Sequence, residues 1–396
     1  MASPELRPPV LALNSGSSSL KFGFYRAGSS GIEMLLSGAA ESIGERTSTF
    51  HAKDARGNTL LRETASVRSQ QDAVIRIGAL LADTKMPPPI AIGHRVVHGG
   101  PRLRQHCLID HSVLRQLEAA TAFAPLHIPS ALSLIRFATE HFPAVPQVAC
   151  FDTTFHNELA DVARVLPIAK ELQAEGIQRY GFHGLSCESI VRQLGDGLPA
   201  RLVIAHLGNG ASVTAVKGGR SIDTSMGLTP AGGVIMGTRS GDLDPGVLVY
   251  LVREKKFDAA MLEELVDHRS GLLGISAVSS DMRRLHEAAT SNGDAGLAIR
   301  MFCYSVRKQL AAMIAALDGV DLIAFTGGIG ENDGEARAEI CRGLTWCGIS
   351  LDEARNRFAN NPISDAASGC RVVVLASQED EQIADHTWAL FRQSRG

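Results

Sequence analysis

A short strand-like run, a tight polar turn and a return strand occur twice in this chain, at residues 10–25 and again at residues 202–216. The two turns, residues 14–19 and 206–210, are rich in serine, glycine and asparagine. Small turn residues leave backbone N–H groups bare, and successive N–H groups form a concavity that favours an anion. The repeat therefore predicts two related lobes that grip a polyphosphate between them.

Size and charge narrow the class of protein. A chain of 396 residues predicts two or three domains, and its 45% hydrophobic and 20% charged content is typical of globular proteins. A net charge of −3 favours neither nucleic acid nor an anionic membrane as a partner. The seven cysteines include no CxxC pair and indicate buried thiols in a reducing compartment. No signal peptide or apolar run of about 20 residues is evident, so we expect a cytoplasmic protein.

The hydrophobic pattern mixes strands with helices. Apolar residues at three- and four-residue spacing from Phe302 to Leu317 predict a helix that stops at Gly319. Asp244 before a proline predicts a helix N-terminus, and Pro129 is interpreted in the same way. This mixture favours helices packed on sheets. Strand-like runs lie at residues 89–92, 147–151, 202–206, 321–326 and 371–376.

The first turn continues to Lys21 and is a candidate phosphate-binding segment. Serine hydroxyls, turn amides and the lysine charge suit phosphate oxygens, and Asn14 offers a neutral oxygen to a hydrated Mg²⁺. The alternative is an ordinary hairpin loop. The segment is not a P-loop, because the P-loop pattern GxxxxGK[ST] does not occur in the chain. The second turn carries the same alternatives, and the pairing of the two favours a binding function.

Residues 321–332 combine a strand-like run, a glycine turn and a helix start. Glycines permit close approach, and a helix N-terminus carries partial positive charge, so the segment suits contact with a nucleotide. It does not match the dinucleotide pattern, because Asp333 stands where a third glycine is required. A plain strand-to-helix turn is the alternative.

Two arginines lie in glycine-flanked segments. Arg95 follows a histidine among apolar residues, and its planar guanidinium suits a carboxylate or a phosphate; a structural ion pair is the alternative. Arg239 lies in a tight loop of the kind that often carries chemistry. The alternative for Arg239 is simple pairing with Asp242 or Asp244.

An aspartate and a histidine complete the set of candidates. Asp152 follows a strand-like run, and ligands of open α/β sheets bind at the ends of such strands; a turn-capping role is the alternative. His183 lies between aromatic and glycine residues, where it could donate to an anion. A satisfied structural histidine is the commoner reading of a lone histidine.

Together these motifs resemble the acetate/propionate kinase family of the sugar-kinase, Hsp70 and actin superfold. The resemblance implies an α/β fold of two related ribonuclease-H-like lobes with an interlobe active-site cleft, and a homodimer. The expected lobes are residues 1–150 with 380–396, and residues 151–379. The matching segments are residues 14–21, 93–100, 124–127, 151–156, 180–184, 206–210, 226–230, 236–246 and 328–332.

The resemblance also implies a role for each charged candidate. Arg95 would bind the carboxylate substrate, and Asp152 would be the catalytic acidic residue. His183 and Arg239 would stabilise the transition state. Because a carboxylate is already ionised at neutral pH, we expect Asp152 to position the acceptor or a metal-bound water rather than to remove a proton.

The remaining implied contacts concern the metal, the nucleotide and the alkyl group of the substrate. Asn14 and Glu379 would hold Mg²⁺, with Mn²⁺ as the alternative. ATP or ADP would contact Lys21, His206, Leu207, Gly208, Asn209, Gly210, Asp281, Met282, Arg283, Gly328, Ile329, Gly330, Glu331 and Asn332. A small apolar pocket would be lined by Val97, Leu126, Phe182 and Pro230.

The implied reaction is reversible, Mg²⁺-dependent phosphoryl transfer from ATP to acetate by direct in-line attack. A propionate or butyrate kinase is the alternative, since one methylene changes binding by only about 1–3 kcal/mol. A second alternative is an ATP-gated binding protein of the actin or Hsp70 type, although such a switch would not need a second anion site. The chain departs from the family pattern at Ile128, Leu185, Cys187, residues 231–233 and residues 377–380.

Overall fold

The computed structural model describes residues 9–16, 18–28, 31–125 and 127–395, which form two compact units. The first unit contains the described residues up to Thr154 together with those from Gln378 onward. The second unit is Phe155–Ser377. Of the residues predicted to contact substrate, Leu126 lies outside the described residues.

The secondary structure alternates short strands with helices in both units. The strands are β1 Pro9–Ser15, β2 Leu20–Gly28, β3 Gly31–Glu41, β4 Ser48–Asp54, β5 Thr59–Ala65, β6 Ala91–Val96, β7 Cys107–Leu108, β8 Gln147–Phe151, β9 Arg201–Leu207, β10 Ala211–Lys217, β11 Arg220–Thr224, β12 Leu322–Thr326 and β13 Arg371–Val374. The helices are α1 Gln70–Asp83, α2 His111–Ala119, α3 Ile128–His141, α4 Asp161–Arg164, α5 Lys170–Ala174, α6 Gly184–Leu194, α7 Pro245–Lys255, α8 Ala259–Glu263, α9 Gly271–Ser276, α10 Met282–Ala288, α11 Gly293–Ala316, α12 Gly327–Asn332, α13 Gly334–Arg342, α14 Glu353–Arg357 and α15 Glu379–Gln393.

The first unit is built on an eight-stranded sheet in the order β5-β4-β3-β2-β1-β6-β8-β7. Strands β1, β6 and β8 run parallel, and the other neighbours are antiparallel. Helices α1 and α3 pack with Leu11, Leu13 and Ile92 in one hydrophobic core. Helix α15 covers β1, β2 and β6 on the face that bears Gly93.

The second unit is built on a five-stranded sheet in the order β11-β10-β9-β12-β13. Here β9, β12 and β13 run parallel, while β10 and β11 are antiparallel to their neighbours. Helix α6 contributes Cys187 and Ile190 to a core with Leu202 and Ile204 of β9. The long helix α11 packs against β9, β10 and β11.

The same strand order occurs in both sheets: β3-β2-β1-β6-β8 in the first unit corresponds to β11-β10-β9-β12-β13 in the second. In each sheet an antiparallel hairpin precedes two further parallel strands, so three carboxyl ends meet at one edge. Open α/β sheets bind ligands at that edge. The predicted α/β fold with two related lobes is thereby confirmed at the level of topology.

Local predictions are confirmed with small shifts in their boundaries. Both hairpins form, but Asn14 and Ser15 belong to β1, and His206 and Leu207 belong to β9, so each turn is shorter than predicted. Asp244 accepts a hydrogen bond from Gly246 N and caps α7 as predicted. Helix α3 begins at Ile128, so Pro129 is its second residue rather than its first, and no side chain caps this helix. Within the described ranges, no helix combines the length and apolarity needed to cross a bilayer.

Candidate active site

An arginine–aspartate ion pair lies at the carboxyl ends of β6 and β8. Arg95 donates from Nε at 2.9 Å and from its second terminal nitrogen at 2.5 Å to the same oxygen, Oδ2 of Asp152. The Asp152 side chain is 1% exposed and that of Arg95 is 17% exposed. This is the ion pair named above as the alternative for Arg95, and it fixes the plane of the guanidinium.

Asn14, near the end of β1, links this ion pair to two carboxylates. Its Oδ1 accepts from Arg95 at 3.3 Å, while its Nδ2 donates to Glu379 Oε2 and Asp380 Oδ1, both at 2.9 Å. Asp380 was not among the predicted site residues. Its signal in the sequence was the acidic first turn of α15, which also contains Glu379 and Glu381.

Burial and charge act in opposition within this cluster. Burial favours a lower pKa for Arg95, but the charges of Asp152 and Glu379 outweigh it and the pKa is raised overall. Burial raises the pKa of Asp380; the hydrogen bond from Asn14 opposes this rise and the charge of Glu379 adds to it. Lys21 pairs with Asn14 across the hairpin, and its charge also lowers the pKa of Asp380.

The chemistry of this cluster fits a hard divalent cation. Glu379 and Asp380 supply carboxylate oxygens, and Asn14 carries an amide oxygen, which are the ligand types that Mg²⁺ prefers. In the structure the amide N–H groups of Asn14 donate to both carboxylates. Rotation of that amide by half a turn would present Oδ1 to a cation there, at the cost of the hydrogen bond that Oδ1 accepts from Arg95.

In the second unit the turn after β9 contains three residues, Gly208–Gly210. Gly208 N donates to Gly210 O at 3.0 Å, and Asn209 O accepts from Gly237 N at 3.0 Å. A Cβ placed on Gly208 would lie 3.9 Å from the backbone nitrogen of Gly328. The predicted phosphate turn and the predicted nucleotide segment are therefore neighbours within this unit.

His183 and Arg239 flank the Gly208–Gly210 turn. A Cβ placed on Gly210 would lie 3.2 Å from His183 Nε2 and 3.3 Å from a terminal nitrogen of Arg239. His183 has φ 59° at the N-cap of α6, a left-handed conformation that is uncommon for a residue with a side chain. Its Nδ1 lies 3.0 Å from Ser212 Oγ, a partner that no local sequence signal indicated.

Arg239 contacts a backbone carbonyl and an acidic side chain of the second unit. A terminal nitrogen donates to Pro230 O at 3.3 Å, and Nε lies 4.0 Å from Asp267 Oδ1. Burial raises the pKa of Asp267, and the charge of Arg239 opposes that rise. The aspartates named above as alternative partners serve the backbone instead: Asp242 accepts from Gly233 N and Asp244 caps α7.

Side chains of the predicted nucleotide segment are tied to nearby backbone. Glu331 Oε1 accepts from Gly327 N at 3.0 Å and from Ser377 N at 2.9 Å, and Asn332 donates to Gly328 O at 2.9 Å. The fully buried Arg337 donates to the carbonyls of Gly330 and Glu331 from α13, a contact the sequence did not indicate. These bonds fix the conformation of the glycine turn.

The segment Asp281–Arg283 lies at the start of α10. Asp281 caps this helix and accepts from Arg283 at 2.6 Å through Oδ2. The Arg283 side chain is 89% exposed, whereas Met282 is buried. The hydrogen bond from Arg283 lowers the pKa of Asp281.

Three predicted apolar contacts can be located. Val97 directly follows β6 and is half-buried in the first unit. Phe182 and Pro230 are buried in the second unit, where the carbonyl of Phe182 lies 3.0 Å from His156 Nε2. Burial lowers the pKa of His156 to about 4, so this histidine is neutral near pH 7 and donates from Nε2 to the Phe182 carbonyl.

Comparison with known proteins places this arrangement in a family. The model of the acetokinase family matches residues 9–385. The acetate kinase of Nitrobacter hamburgensis is 41% identical over 390 residues, which cover 96% of this chain and 96% of that protein. The acetate kinase of Methylocella silvestris is 41% identical over 403 residues, covering 97% and 98%.

Solved structures agree with the sequence matches. A propionate kinase from Francisella tularensis has a TM-score of 0.89 at 36% identity, covering 97% of this chain and 100% of that one. The acetate kinase of Porphyromonas gingivalis has a TM-score of 0.84 at 34% identity with the same coverage. Two related α/β sheets, together with matches to acetate and propionate kinases over nearly the whole length, place the protein in the class of kinases. The chain belongs to the acetokinase family, which confirms the resemblance described above.

Proposed function

We propose that the protein transfers the terminal phosphoryl group of ATP to acetate, reversibly and by direct in-line attack, giving acetyl phosphate and ADP. The observation that carries this proposal is the anchored guanidinium of Arg95 at the carboxyl end of β6. It supplies an anion site distinct from the glycine turns of the second unit. The relatives that match the chain over nearly its whole length are named as acetate kinases.

The proposed chemistry is mainly a matter of charge and alignment. A carboxylate acceptor is already ionised at neutral pH, so its activation needs no strong base. The obstacle is repulsion between the acceptor and the phosphate, which fixed cations can offset. In this proposal Arg95 binds the carboxylate, and Asp152 holds Arg95 in position instead of removing a proton. The two hydrogen bonds from Arg95 to one oxygen of Asp152 support this division of roles.

In the same proposal His183 and Arg239 stabilise the phosphoryl group in transfer. Their polar nitrogens both approach Gly210, where the backbone of the hairpin turn is bare. Turn amides and an arginine are suited to the equatorial oxygens of a phosphoryl group. The predicted contacts of ATP with the residues of α12 and with residues 206–210 remain part of the proposal.

Asn14, Glu379 and Asp380 would hold Mg²⁺ or Mn²⁺. A bound divalent cation would neutralise phosphate oxygens and orient them for in-line transfer. Asn14 also contacts Arg95, so this group of side chains would connect the cation-binding residues with the carboxylate-binding residue. We expect Asn14→Ala to raise the Mg²⁺ concentration needed for half-maximal rate.

In this proposal the preferred carboxylic acid substrate depends on the size of the apolar surface that contacts its alkyl group. Val97, Leu126, Phe182 and Pro230 are proposed to contact the alkyl group, with acetate as the substrate and propionate as the alternative. The Francisella tularensis relative is named as a propionate kinase, which keeps the alternative open. Values of kcat/KM for acetate, propionate and butyrate decide between them.

We further propose a cytoplasmic homodimer. Helix α7 exposes Val249, Tyr250 and Val252 at 53%, 52% and 48%. Contiguous apolar surface of this kind is typical of a protein interface. Light scattering at micromolar concentration tests the dimer, and Val252→Glu should yield monomer.

Acyl-phosphate formation tests the central proposal. Trapping with hydroxylamine should give acetohydroxamate in proportion to ADP released. Arg239→Ala should lower kcat by about 10³-fold, the contribution of an arginine that contacts the transferred phosphoryl group. Asp152→Asn should raise the KM for acetate and lower kcat. Arg220→Ala, which removes an exposed arginine paired with Glu158, is the matched control and should leave both unchanged.

Two results would contradict the proposal. ATP binding without hydroxamate from any short-chain acid would favour the ATP-gated binding protein. Near-normal kcat and KM of Asp152→Asn would contradict the proposed role of Asp152 in positioning Arg95.

A further inference from the structure

A chain of hydrogen bonds connects α12 with the end of β9 inside the second unit. Glu331 Oε1 accepts from the backbone nitrogens of Gly327 and Ser377 at 3.0 and 2.9 Å. The Ser377 hydroxyl donates to Ser186 Oγ at 3.0 Å, and Ser186 Oγ lies 2.8 Å from His206 Nδ1. We call Ser377, Ser186 and His206 the hydroxyl relay.

The direction of these bonds favours one tautomer of His206. Ser186 accepts from Ser377, so its own hydroxyl proton is available to His206. Nδ1 then accepts this proton, and the ring N–H of neutral His206 lies on Nε2. A Cβ placed on Gly208 would lie 3.8 Å from His206 Nε2, so this N–H is close to the proposed phosphate turn.

The relay also reaches His183 through ring stacking. The His206 and His183 rings lie 4.2 Å apart between centroids, with an angle of 21° between their planes. Stacked imidazoles so close together disfavour a charge on both rings. Through this stacking, a fixed His206 ring also constrains the His183 ring that lies against Gly210.

We propose that Ser186 and Ser377 are positioning residues that hold His206 as the Nε2-protonated tautomer and thereby set the His183 ring against the Gly208–Gly210 turn. Neither serine touches the reacting atoms in this scheme. Because Glu331 fixes both Ser377 and the first residue of α12, the relay couples the proposed nucleotide segment to the proposed phosphoryl-binding histidine. Only the kinetic part of the inference rests on the proposed function.

Ser186→Ala removes the hydroxyl that donates to His206, and Ser186→Thr retains a hydroxyl at the same place. Ser189→Ala is the matched control, because Ser189 lies one turn further along α6, is fully buried, and donates to the carbonyl of Ser186. Ser377→Ala tests the relay independently and keeps the backbone bond to Glu331. It provides a second readout if Ser186→Ala does not fold.

The first measurement is a proton–nitrogen correlation spectrum of the nucleotide-free protein labelled at histidine nitrogen. The chain has 13 histidines, and His206→Gln identifies the signals of His206. We expect Nε2–H signals in the unsubstituted protein, in Ser186→Thr and in Ser189→Ala. Ser186→Ala and Ser377→Ala should show the Nδ1–H tautomer or a mixture. A His206 tautomer unaffected by both alanine variants would overturn the inference.

The second measurement is the split between kcat and KM in the acetate-dependent reaction. Ser186→Ala should lower kcat by about 10- to 100-fold, by analogy with the loss of a partner that orients a metal-ligating histidine. The KM for acetate should stay unchanged, and Ser186→Thr should recover most of the rate. An equal kcat for Ser186→Ala and Ser189→Ala would contradict the kinetic role. Absence of any activity with acetate would count against the proposed function alone, since the spectrum still decides the tautomer.

Discussion

His94 provides a sharp test of how burial controls charge in the first unit. It precedes Arg95 in β6 and is 1% exposed. Gln147 donates from Nε2 to Val145 O, so its Oε1 is the acceptor for His94 Nε2–H at 2.7 Å. His94 Nδ1 is buried and has no hydrogen-bond partner among the described residues. A second proton on this ring would therefore stay unsolvated.

The free energy at stake follows from the pKa. Burial lowers the pKa of His94 from 6.5 to about 4, against a smaller rise from the bond to Gln147. Between these values the unfolded chain binds a proton that the folded chain does not, so stability present above pH 6.5 is lost as the pH falls. The linkage relation gives a loss of about 2 kcal/mol at pH 5, approaching about 3 kcal/mol as the pH falls below 4.

The assay compares the protein with His94→Gln, whose amide nitrogen can donate to Gln147 but cannot titrate. Both proteins carry Trp346→Phe, so that fluorescence reports only Trp388 of α15 in the same unit as His94. From pH 7.5 to pH 5 the histidine protein should lose about 2 kcal/mol more than the variant. For a unit of this size, that difference corresponds to about 4–8 °C in apparent Tm.

The control is His111→Gln, which removes an exposed histidine at the start of α2 and should leave the pH dependence unchanged. Equal losses in the His94 protein and His94→Gln would refute the reasoning, because the buried ring would then accept a proton without cost.

Alanine substitutions at two glycines give further predictions. Gly197→Ala is the common control, because no atom lies within 4 Å of a Cβ placed on Gly197. Gly93→Ala would place Cβ 2.1 Å from Thr387 Oγ1 of α15 and should lower the free energy of unfolding by about 1–3 kcal/mol in urea titration; a midpoint equal to that of the control would contradict this. Gly237→Ala would place Cβ 2.1 Å from Asn209 Oδ1 and should raise the KM for ATP more than the KM for acetate. An unchanged KM for ATP would show that the turn does not depend on this close approach.

The strands and hairpins could be predicted because their signals are local. Alternating apolar runs broken by glycine and serine identify β1, β2, β9 and β10 without knowledge of the rest of the chain. The meeting of Asn14, Arg95 and Asp152 also follows, since each stands near the carboxyl end of a strand and parallel strands present those ends at one edge. The ion pair itself could not be chosen from sequence, because the residues flanking Arg95 allowed either an anion site or a structural pair.

Other parts of the site had no local signal. Ser186 and Ser377 are 191 positions apart, and each resembles an ordinary surface serine in its own segment. Arg337 occupies an unremarked position in a helix, yet its guanidinium is fully buried against carbonyls of α12. Such contacts depend on how elements pack, and packing sets the partner of a side chain only after the sheets have formed.

The two sheets share a strand order, so the edge at which the parallel strands end is arranged alike in both units. The side chains at these two edges differ in charge. In the first unit the edge carries Asp152, Glu379 and Asp380 around Asn14 and Arg95, so excess carboxylates there attract a cation. In the second unit the corresponding edge carries the Gly208–Gly210 turn with His183 and Arg239 beside Gly210, and such donors suit an anion. The shared strand order explains the shared geometry of the two edges, and the difference in their strand-end residues is why we propose metal and carboxylate binding at one edge and phosphate binding at the other. If that reasoning holds, charge changes of opposite sign should impair binding at the two edges: an added acid beside Gly208 should weaken nucleotide binding, and removal of the Asp380 carboxylate should weaken metal binding.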